Sequence, residues 1–90
     1  MELSFVKKGT KYVATFDATS DFNLHIERSE KGFLFVYQRT TTSGEYDSVQ
    51  GANFSSVDKV IDCDFTALVY PKSIKVESEV EPTRCEVTFA

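Results

Sequence analysis

The stretch Phe22-Asn-Leu-His-Ile-Glu27 places an apolar side chain at every second position. Successive side chains of a β-strand point to opposite faces of a sheet. The alternation therefore predicts a strand whose residues Phe22, Leu24 and Ile26 face a core, while the polar residues between them face solvent.

The same period recurs along most of the chain. A short strand with Leu3 and Phe5 comes first, and four longer runs repeat the pattern. Their inward positions are Tyr12, Ala14 and Phe16; Ile61, Cys63 and Phe65; Ile74, Val76, Ser78 and Val80; and Cys85, Val87 and Phe89. Turn residues separate the runs, and Gly9 and Gly32 are expected to supply permissive backbone there. We predict an all-β chain, with residues 1–90 forming a single antiparallel β-sandwich of about seven strands, Greek-key or jelly-roll-like.

The composition favours the same class. Val, Ile and Thr make up 22 of the 90 residues and Phe and Tyr another 12, whereas Leu, Ala and Met make up only 10. Such a chain is unsuited to a helical bundle or a coiled coil. Its apolar runs are shorter than the roughly 18 residues that a membrane helix needs. The first residues lack a basic segment followed by an apolar one, so we expect no secretory signal.

The charge argues against a nucleic-acid partner. The net charge is −4, and affinity for nucleic acid depends on basic side chains that contact phosphates. One basic cluster, Lys7, Lys8 and Lys11, flanks Gly9 at an expected hairpin tip. It is either a solvated turn or a contact for an acidic partner surface.

Two cysteines fall on core-facing positions. Cys63 and Cys85 each alternate with apolar neighbours, a pattern typical of buried thiols. A disulfide between them remains an open alternative. No Cys-x-x-Cys spacing occurs and there is one histidine, so we expect no zinc site and no cofactor.

The residues offer little catalytic chemistry. His25 is expected to be a surface imidazole, because no nucleophile or orienting group can be assigned to it. Asp62 and Asp64 share one strand face and could serve a hydrolase if a cleft held them or bind calcium with further oxygen ligands, or they are two acids on a solvated face. The sequence lacks the common nucleotide-binding and hydrolase motifs. We therefore do not expect an enzyme.

Surplus apolar residues predict protein–protein contacts instead. The run Phe-Leu-Phe-Val-Tyr-Gln-Arg at 33–39 is apolar on both phases, which is typical of a strand covered on both faces. A long polar stretch, Thr40–Ser56, follows it. We predict that interaction residues come from these regions and from the end of the 57–70 run. They are Leu34, Val36, Thr41, Tyr46, Val49, Phe54, Leu68 and Tyr70.

The tyrosines allow an alternative function. If exposed, they could stack on sugar rings, as in a small carbohydrate- or cell-surface-binding module. The four candidates are Tyr12, Tyr37, Tyr46 and Tyr70.

The stretch Ala67-Leu-Val-Tyr-Pro-Lys-Ser-Ile-Lys-Val-Glu-Ser-Glu-Val-Glu-Pro82, together with Asp21–Glu27, resembles short all-β proteins encoded by phages and mobile elements of gut Bacteroidales. Auxiliary capsid and other virion structural proteins are among them. The resemblance implies a non-enzymatic decoration subunit of the virion, made in the bacterial cytoplasm. Such a subunit would be a homo-oligomer or lattice-bound, and its partners would be itself and a major capsid or tail protein. No catalytic or binding residue carries over.

Overall fold

The computed structural model describes residues 1–40, 47–48, 55–66 and 72–90. Within these ranges the chain forms nine β-strands and no helix. The strands are β1 (Val6–Lys8), β2 (Lys11–Ala18), β3 (Phe22–Arg28), β4 (Leu34–Thr40), β5 (Asp47–Ser48), β6 (Ser55–Ser56), β7 (Val60–Phe65), β8 (Lys72–Ser78) and β9 (Pro82–Phe89). Among the described residues there is accordingly no helix long and apolar enough to cross a membrane.

The strands form two antiparallel sheets. The larger sheet has the order β1-β2-β8-β4, and β5 and β6 both pair with β4. The smaller sheet has the order β7-β3-β9. The connections from β2 to β3, from β3 to β4 and from β8 to β9 each cross between the sheets, which places one sheet over the other. The predicted all-β sandwich is confirmed.

The core lies between the sheets and is built from the alternating positions. Leu24 and Ile26 of β3 are fully buried, as are Ile74 and Val76 of β8 and Val87 of β9. Full burial of an aliphatic side chain of this size contributes about 1.5–3 kcal/mol. The inward phase predicted for these strands is therefore confirmed.

One end of the core is aromatic. The Phe22 ring stacks on Phe65 with a centroid distance of 5.0 Å, and Phe16 meets Phe22 edge to face at 5.2 Å. Phe89 packs at 6.3 Å from both Phe16 and Phe22. These rings come from both sheets, so the contact joins the sheets at that end.

The opposite end is held by a buried arginine. Arg28 is the last residue of β3 and only 4% of it is exposed. Its Nη1 donates to Ser78 Oγ (3.2 Å) and to the Phe33 carbonyl (3.4 Å), and its Nη2 donates to the Asp58 carbonyl. Burial lowers the pKa of Arg28, and the nearby carboxylates of Asp58 and Glu79 oppose that shift. One side chain thus ties together the ends of β3 and β8 and two connections.

A side chain at position 32 would not fit at this same end of the core. A Cβ at Gly32 would lie 2.8 Å from Val80 Cγ2, which is too close for a side chain. Gly9, by contrast, has a φ of +65°, as expected for the β1–β2 turn. The sequence predicted permissive backbone at both glycines, and at Gly32 the close approach of Val80 is the actual reason.

The N-terminal residues reach both sheets. Leu3 N–H donates to the Cys85 carbonyl at 3.0 Å, and Val87 N–H donates to the Met1 carbonyl at 2.7 Å. The chain then crosses to the larger sheet and forms β1. The predicted first strand around Leu3 and Phe5 therefore begins later, at Val6, because the preceding residues bond to β9.

Both cysteines are free thiols. Cys63 on β7 and Cys85 on β9 lie on opposite sides of β3, opposite Leu24 and Ile26 respectively. Strands two positions apart in a sheet are about 9–10 Å apart, which is too far for a disulfide. Of the two alternatives left open by the sequence, the structure has the thiols, with Cys85 buried and Cys63 half-buried.

We expect Arg28→Met to lower the free energy of unfolding by about 1–3 kcal/mol, because it removes the donor to the buried Ser78 hydroxyl and to two carbonyls. Urea denaturation followed by circular dichroism measures this loss. Arg84→Met is the matched control: Arg84 is exposed, so its replacement should change stability by only about 0.5 kcal/mol. Equal stability of the two variants would contradict the role assigned to Arg28.

We expect a thiol reagent such as DTNB to modify native Cys63 about tenfold faster than Cys85, or more. Burial raises the pKa of Cys85 to about 12 and raises the pKa of Cys63 as well, but only Cys63 is partly accessible. Peptide mapping after brief labelling separates the two rates. In denaturant both thiols should react alike, and equal rates in the native protein would overturn this prediction.

Candidate functional site

An aromatic stripe runs along the outer face of β4. Phe33, Phe35 and Tyr37 alternate with buried residues and point away from the core. Phe33 is 52% exposed, and the other two rings are half-buried. Ring centroids lie 5.9 Å apart between Phe33 and Phe35 and 6.2 Å apart between Phe35 and Tyr37. The larger sheet thus presents a continuous row of three rings on its outer face.

Two lysines lie over this stripe. Lys11 Nζ of β2 is 5.7 Å from the Phe35 centroid, and Lys75 Nζ of β8 is 5.0 Å from the Tyr37 centroid. Both ammonium groups reach Glu77, at 4.0 and 3.9 Å. Antiparallel register explains this arrangement, because Phe35 and Tyr37 lie opposite Glu77 and Lys75. Cations over ring faces are attracted by the ring quadrupole.

The phenol of Tyr37 belongs to the same group of side chains. Burial is the main cause that raises its pKa, and the charge of Glu77 and a hydrogen bond to Glu77 raise it further. Tyr37 therefore stays a neutral hydrogen-bonding group at physiological pH. The surface, which we call the aromatic face, combines apolar area with fixed cations and one phenol.

The predicted interaction residues of β4 face the core rather than the outer surface of the sheet. Leu34 and Val36 are 0% and 1% exposed and belong to the core, so the expectation that they form a contact patch is wrong. Both phases of the 33–39 run are apolar, and the sequence did not tell which phase faces inward. The surplus apolar surface exists, but Phe33, Phe35 and Tyr37 supply it.

The other predicted interaction residues lie outside the described part of the chain. They are Thr41, Tyr46, Val49, Phe54, Leu68 and Tyr70. In this part of the chain the described residues 47–48 and 55–56 form β5 and β6, which both pair with β4.

The outer face of the smaller sheet carries a histidine held between two carboxylates. His25 Nε2 is 2.8 Å from Glu27 Oε2, and its Nδ1 is 2.9 Å from Asp62 Oδ2. Register places His25 opposite Asp62. A neutral imidazole has one N–H and can donate to only one carboxylate, whereas the imidazolium donates to both. The hydrogen bonds that His25 donates to Glu27 and Asp62 accordingly raise its pKa.

The predicted carboxylate pair is joined by an amide. Asn23 Nδ2 donates to Asp62 Oδ1 at 2.6 Å and to Asp64 Oδ1 at 2.9 Å. The bond from Asn23, followed by that from His25, lowers the pKa of Asp62. Asp64 lines a depression of about 350 Å³ beside Phe22 and Phe89, and Asp62 is not among its lining residues. The arrangement favours the ionised form of Asp62 and engages both carboxylates through side chains of β3.

The side chains of this face bind one another rather than surround a vacant centre. Arg84 of β9 contacts Glu86 at 2.8 Å and Glu27 at 3.5 Å. Within the described ranges, no set of three or more His, Cys, Asp or Glu side chains is arranged to hold a metal ion. The network crosses all three strands of the sheet, so its direct effect is on strand association and surface charge.

The predicted basic cluster divides between two elements. Lys7 and Lys8 lie on β1, which is exposed throughout. Lys11 starts β2, and its ammonium group reaches the aromatic face. The cluster is therefore not an isolated turn, since one of its members belongs to the candidate site.

We expect the His25 contacts to stabilise the fold most between about pH 4.5 and 6.5. The pKa of His25 is raised, so its contribution is full below its unfolded value near 6.5 and is lost as the pH rises through the folded value. The pKa values of Glu27 and Asp62 are lowered, so their contribution is lost as the pH falls through the folded values. Thermal unfolding of wild type and His25→Gln should differ most inside this window.

A proton NMR titration of His25 tests the cause directly. Its midpoint should lie above 6.5 and move down in both Glu27→Gln and Asp62→Asn. Asp64→Asn is the control, because Asp64 bonds to Asn23 and not to the imidazole. A midpoint that is the same in all four proteins would refute the role given to the two carboxylates.

Comparison of the chain with protein-family models, with curated proteins and with solved structures finds no match. The interpretation of both faces therefore depends on their own geometry and charge.

Proposed function

We propose that the chain is a non-enzymatic assembly subunit that acts through protein–protein contacts of its aromatic face. The observation that carries this proposal is the row of Phe33, Phe35 and Tyr37 on the outer side of a sheet whose inner side already packs on the core. Aromatic residues are enriched at the centres of protein interfaces. A solvent-facing row of three rings is more apolar surface than a lone domain needs.

The charged residues beside the rings fit the same role. Lys11, Lys75 and Glu77 surround Phe35 and Tyr37 and hold one another at 3.9–4.0 Å. An apolar centre with a charged rim is the usual arrangement of a protein–protein interface. Most of these positions lie on long paired strands, so the face is presented in one fixed geometry and docking needs no refolding.

We further propose the virion as the setting. The resemblance to virion structural proteins implies an auxiliary or decoration subunit whose partners are itself and a major capsid or tail protein. A small rigid sandwich with an outward docking face suits such a subunit. The polar contacts of His25 are consistent with a non-enzymatic role, since both of its ring nitrogens contact carboxylates.

Sugar binding is the second candidate, and the same rings favour it. Phe33 and Phe35 are nearly parallel, with 14° between their planes, and Tyr37 adds a phenol beside them. Flat sugar rings stack on such platforms. The lysines over Phe35 and Tyr37 cover part of both ring faces, which leaves less open ring surface for a flat sugar to stack on.

We expect a photoreactive benzoylphenylalanine at Phe33 to give discrete protein adducts on illumination. Phe33 is the most exposed ring of the aromatic face, so its substitution disturbs the core least. The readout is the shift in gel mobility of the chain, in purified particles and in the cells that produce them. The same probe at Thr19, an exposed residue in the β2–β3 connection, is the control and should give none.

A second substitution separates the two candidates. Phe35→Ser should abolish the adducts from position 33 without altering the fold. A glycan array on the wild-type protein, with Phe35→Ser beside it, examines the sugar alternative. A glycan signal lost in Phe35→Ser, with no protein adduct from position 33, would overturn the assembly proposal.

A further inference from the structure

The two outer faces of the sandwich carry charges of opposite sign. Strand register sets which side chains share each face. Among the described residues, the outer face of the larger sheet has four cationic side chains and two carboxylates, and that of the smaller sheet has five carboxylates, one arginine and His25, which contacts two of the carboxylates. The first set is Lys8, Lys11, Arg39 and Lys75 with Asp17 and Glu77; the second is Glu2, Glu27, Asp62, Asp64 and Glu86 with Arg84.

The second face, which we call the acidic face, holds its carboxylates in place through neighbouring side chains. Asn23 holds Asp62 and Asp64 at 2.6 and 2.9 Å through a neutral amide, which orders both carboxylates without cancelling their charge. Arg84 compensates Glu86 and part of Glu27 on the β9 side. The β7 side of the face therefore keeps most of the excess negative charge.

We propose that the acidic face of one copy docks on the aromatic face of the next, so that copies of this chain associate head to tail. The inference rests on the proposed function and names the partner as a second copy. Complementary charge favours this pairing, whereas like faces would meet with like charges. The exposed Phe33 and the half-buried Phe35 and Tyr37 supply the apolar centre that charge alone would lack.

Each outer face is large enough for a protein–protein interface. The two largest extents of the molecule are 32 and 27 Å, which bound an area comparable with the roughly 800 Å² per partner of a standard interface. Because the contact joins two different faces, a bound pair of copies still has one free aromatic face and one free acidic face. Such a contact gives a ring if the rotation between copies closes and an open row if it does not.

Two charge-reversal variants test the pairing. One variant carries Lys8→Glu and Lys11→Glu and keeps its acidic face intact. The other carries Asp64→Lys and Glu86→Lys, which spares the direct partners of His25, and keeps its aromatic face intact. Light scattering after size exclusion, over a dilution series in about 50 mM salt, gives the mass of wild type, of each variant and of their mixture, and circular dichroism confirms that each variant is folded.

Wild type should associate with increasing concentration, and about 500 mM salt should weaken this association about tenfold or more, because screening shortens the range of the charges. Each variant alone should associate at least about tenfold more weakly than wild type. Their equimolar mixture should form a 1:1 complex, because one intact aromatic face then meets one intact acidic face. If a variant does not fold, Lys11→Gln or Asp64→Asn replaces it and should show the same pattern with smaller loss.

Wild type that stays monomeric up to about 1 mM, or a mixture that behaves as the sum of its parts, would overturn the head-to-tail contact. The adducts from position 33 distinguish this failure from failure of the proposed function. If the protein is monomeric but its Phe33 probe still crosslinks to a different protein, the assembly role stands and the second copy is not the partner. If the protein is monomeric and gives no adduct, both the head-to-tail contact and the assembly role are overturned.

Discussion

Each sheet of this sandwich can bury only one of its faces, and that constraint determines what the other face can be. Alternating side chains of β3, β4, β8 and β9 fill the interior, where Leu24, Leu34 and Val76 are completely buried. The three rings of β4 that point outward contribute nothing to that interior. They are held by each other and by Lys11 and Lys75, and we propose that they serve contacts outside the protein. The aromatic face is therefore a consequence of strand geometry combined with an unusual sequence on one strand.

The polar clamp of Arg28 complements the apolar core. Hydrophobic packing between two sheets is non-directional and leaves their relative position loosely defined, whereas a guanidinium that donates to Ser78, Phe33 and Asp58 has a fixed geometry. Burial of a cation is costly, which is offset here by hydrogen bonds and by the carboxylates of Asp58 and Glu79. The four phenylalanines fasten the opposite end. With one specific polar contact and one aromatic cluster at its two ends, the sandwich can present its outer faces in a constant orientation.

The sequence predicted the strands well because alternation is a local signal. The inward positions of β3, β8 and β9 follow from period two alone, and Ile61 and Phe65 of β7 do as well. Alternation does not determine the inward face of a strand on which both phases are apolar. The prediction that Leu34 and Val36 form a contact patch is therefore wrong, and the neighbouring Phe35 and Tyr37 occupy the outer face. Arg28 and Ser78 are 50 residues apart, so their contact depends on which strands meet between sheets. The pairing of His25 with Asp62 likewise depends on the register between β3 and β7, which no local pattern specifies.

Protonation of His25 has opposite effects on the stability of the acidic face and on its negative charge. A proton on His25 completes the hydrogen bonds to Glu27 and Asp62 and strengthens the association of β3 with β7. The same proton cancels one negative charge of the face that we propose to dock on a cationic surface. Stability from this network is therefore greatest between about pH 4.5 and 6.5, and the negative charge of the face is greatest above the pKa of His25. Asn23 reduces the conflict, because its amide orders Asp62 and Asp64 whatever the charge of the imidazole. A neutral residue at the point where two carboxylates meet lets the face remain both ordered and acidic.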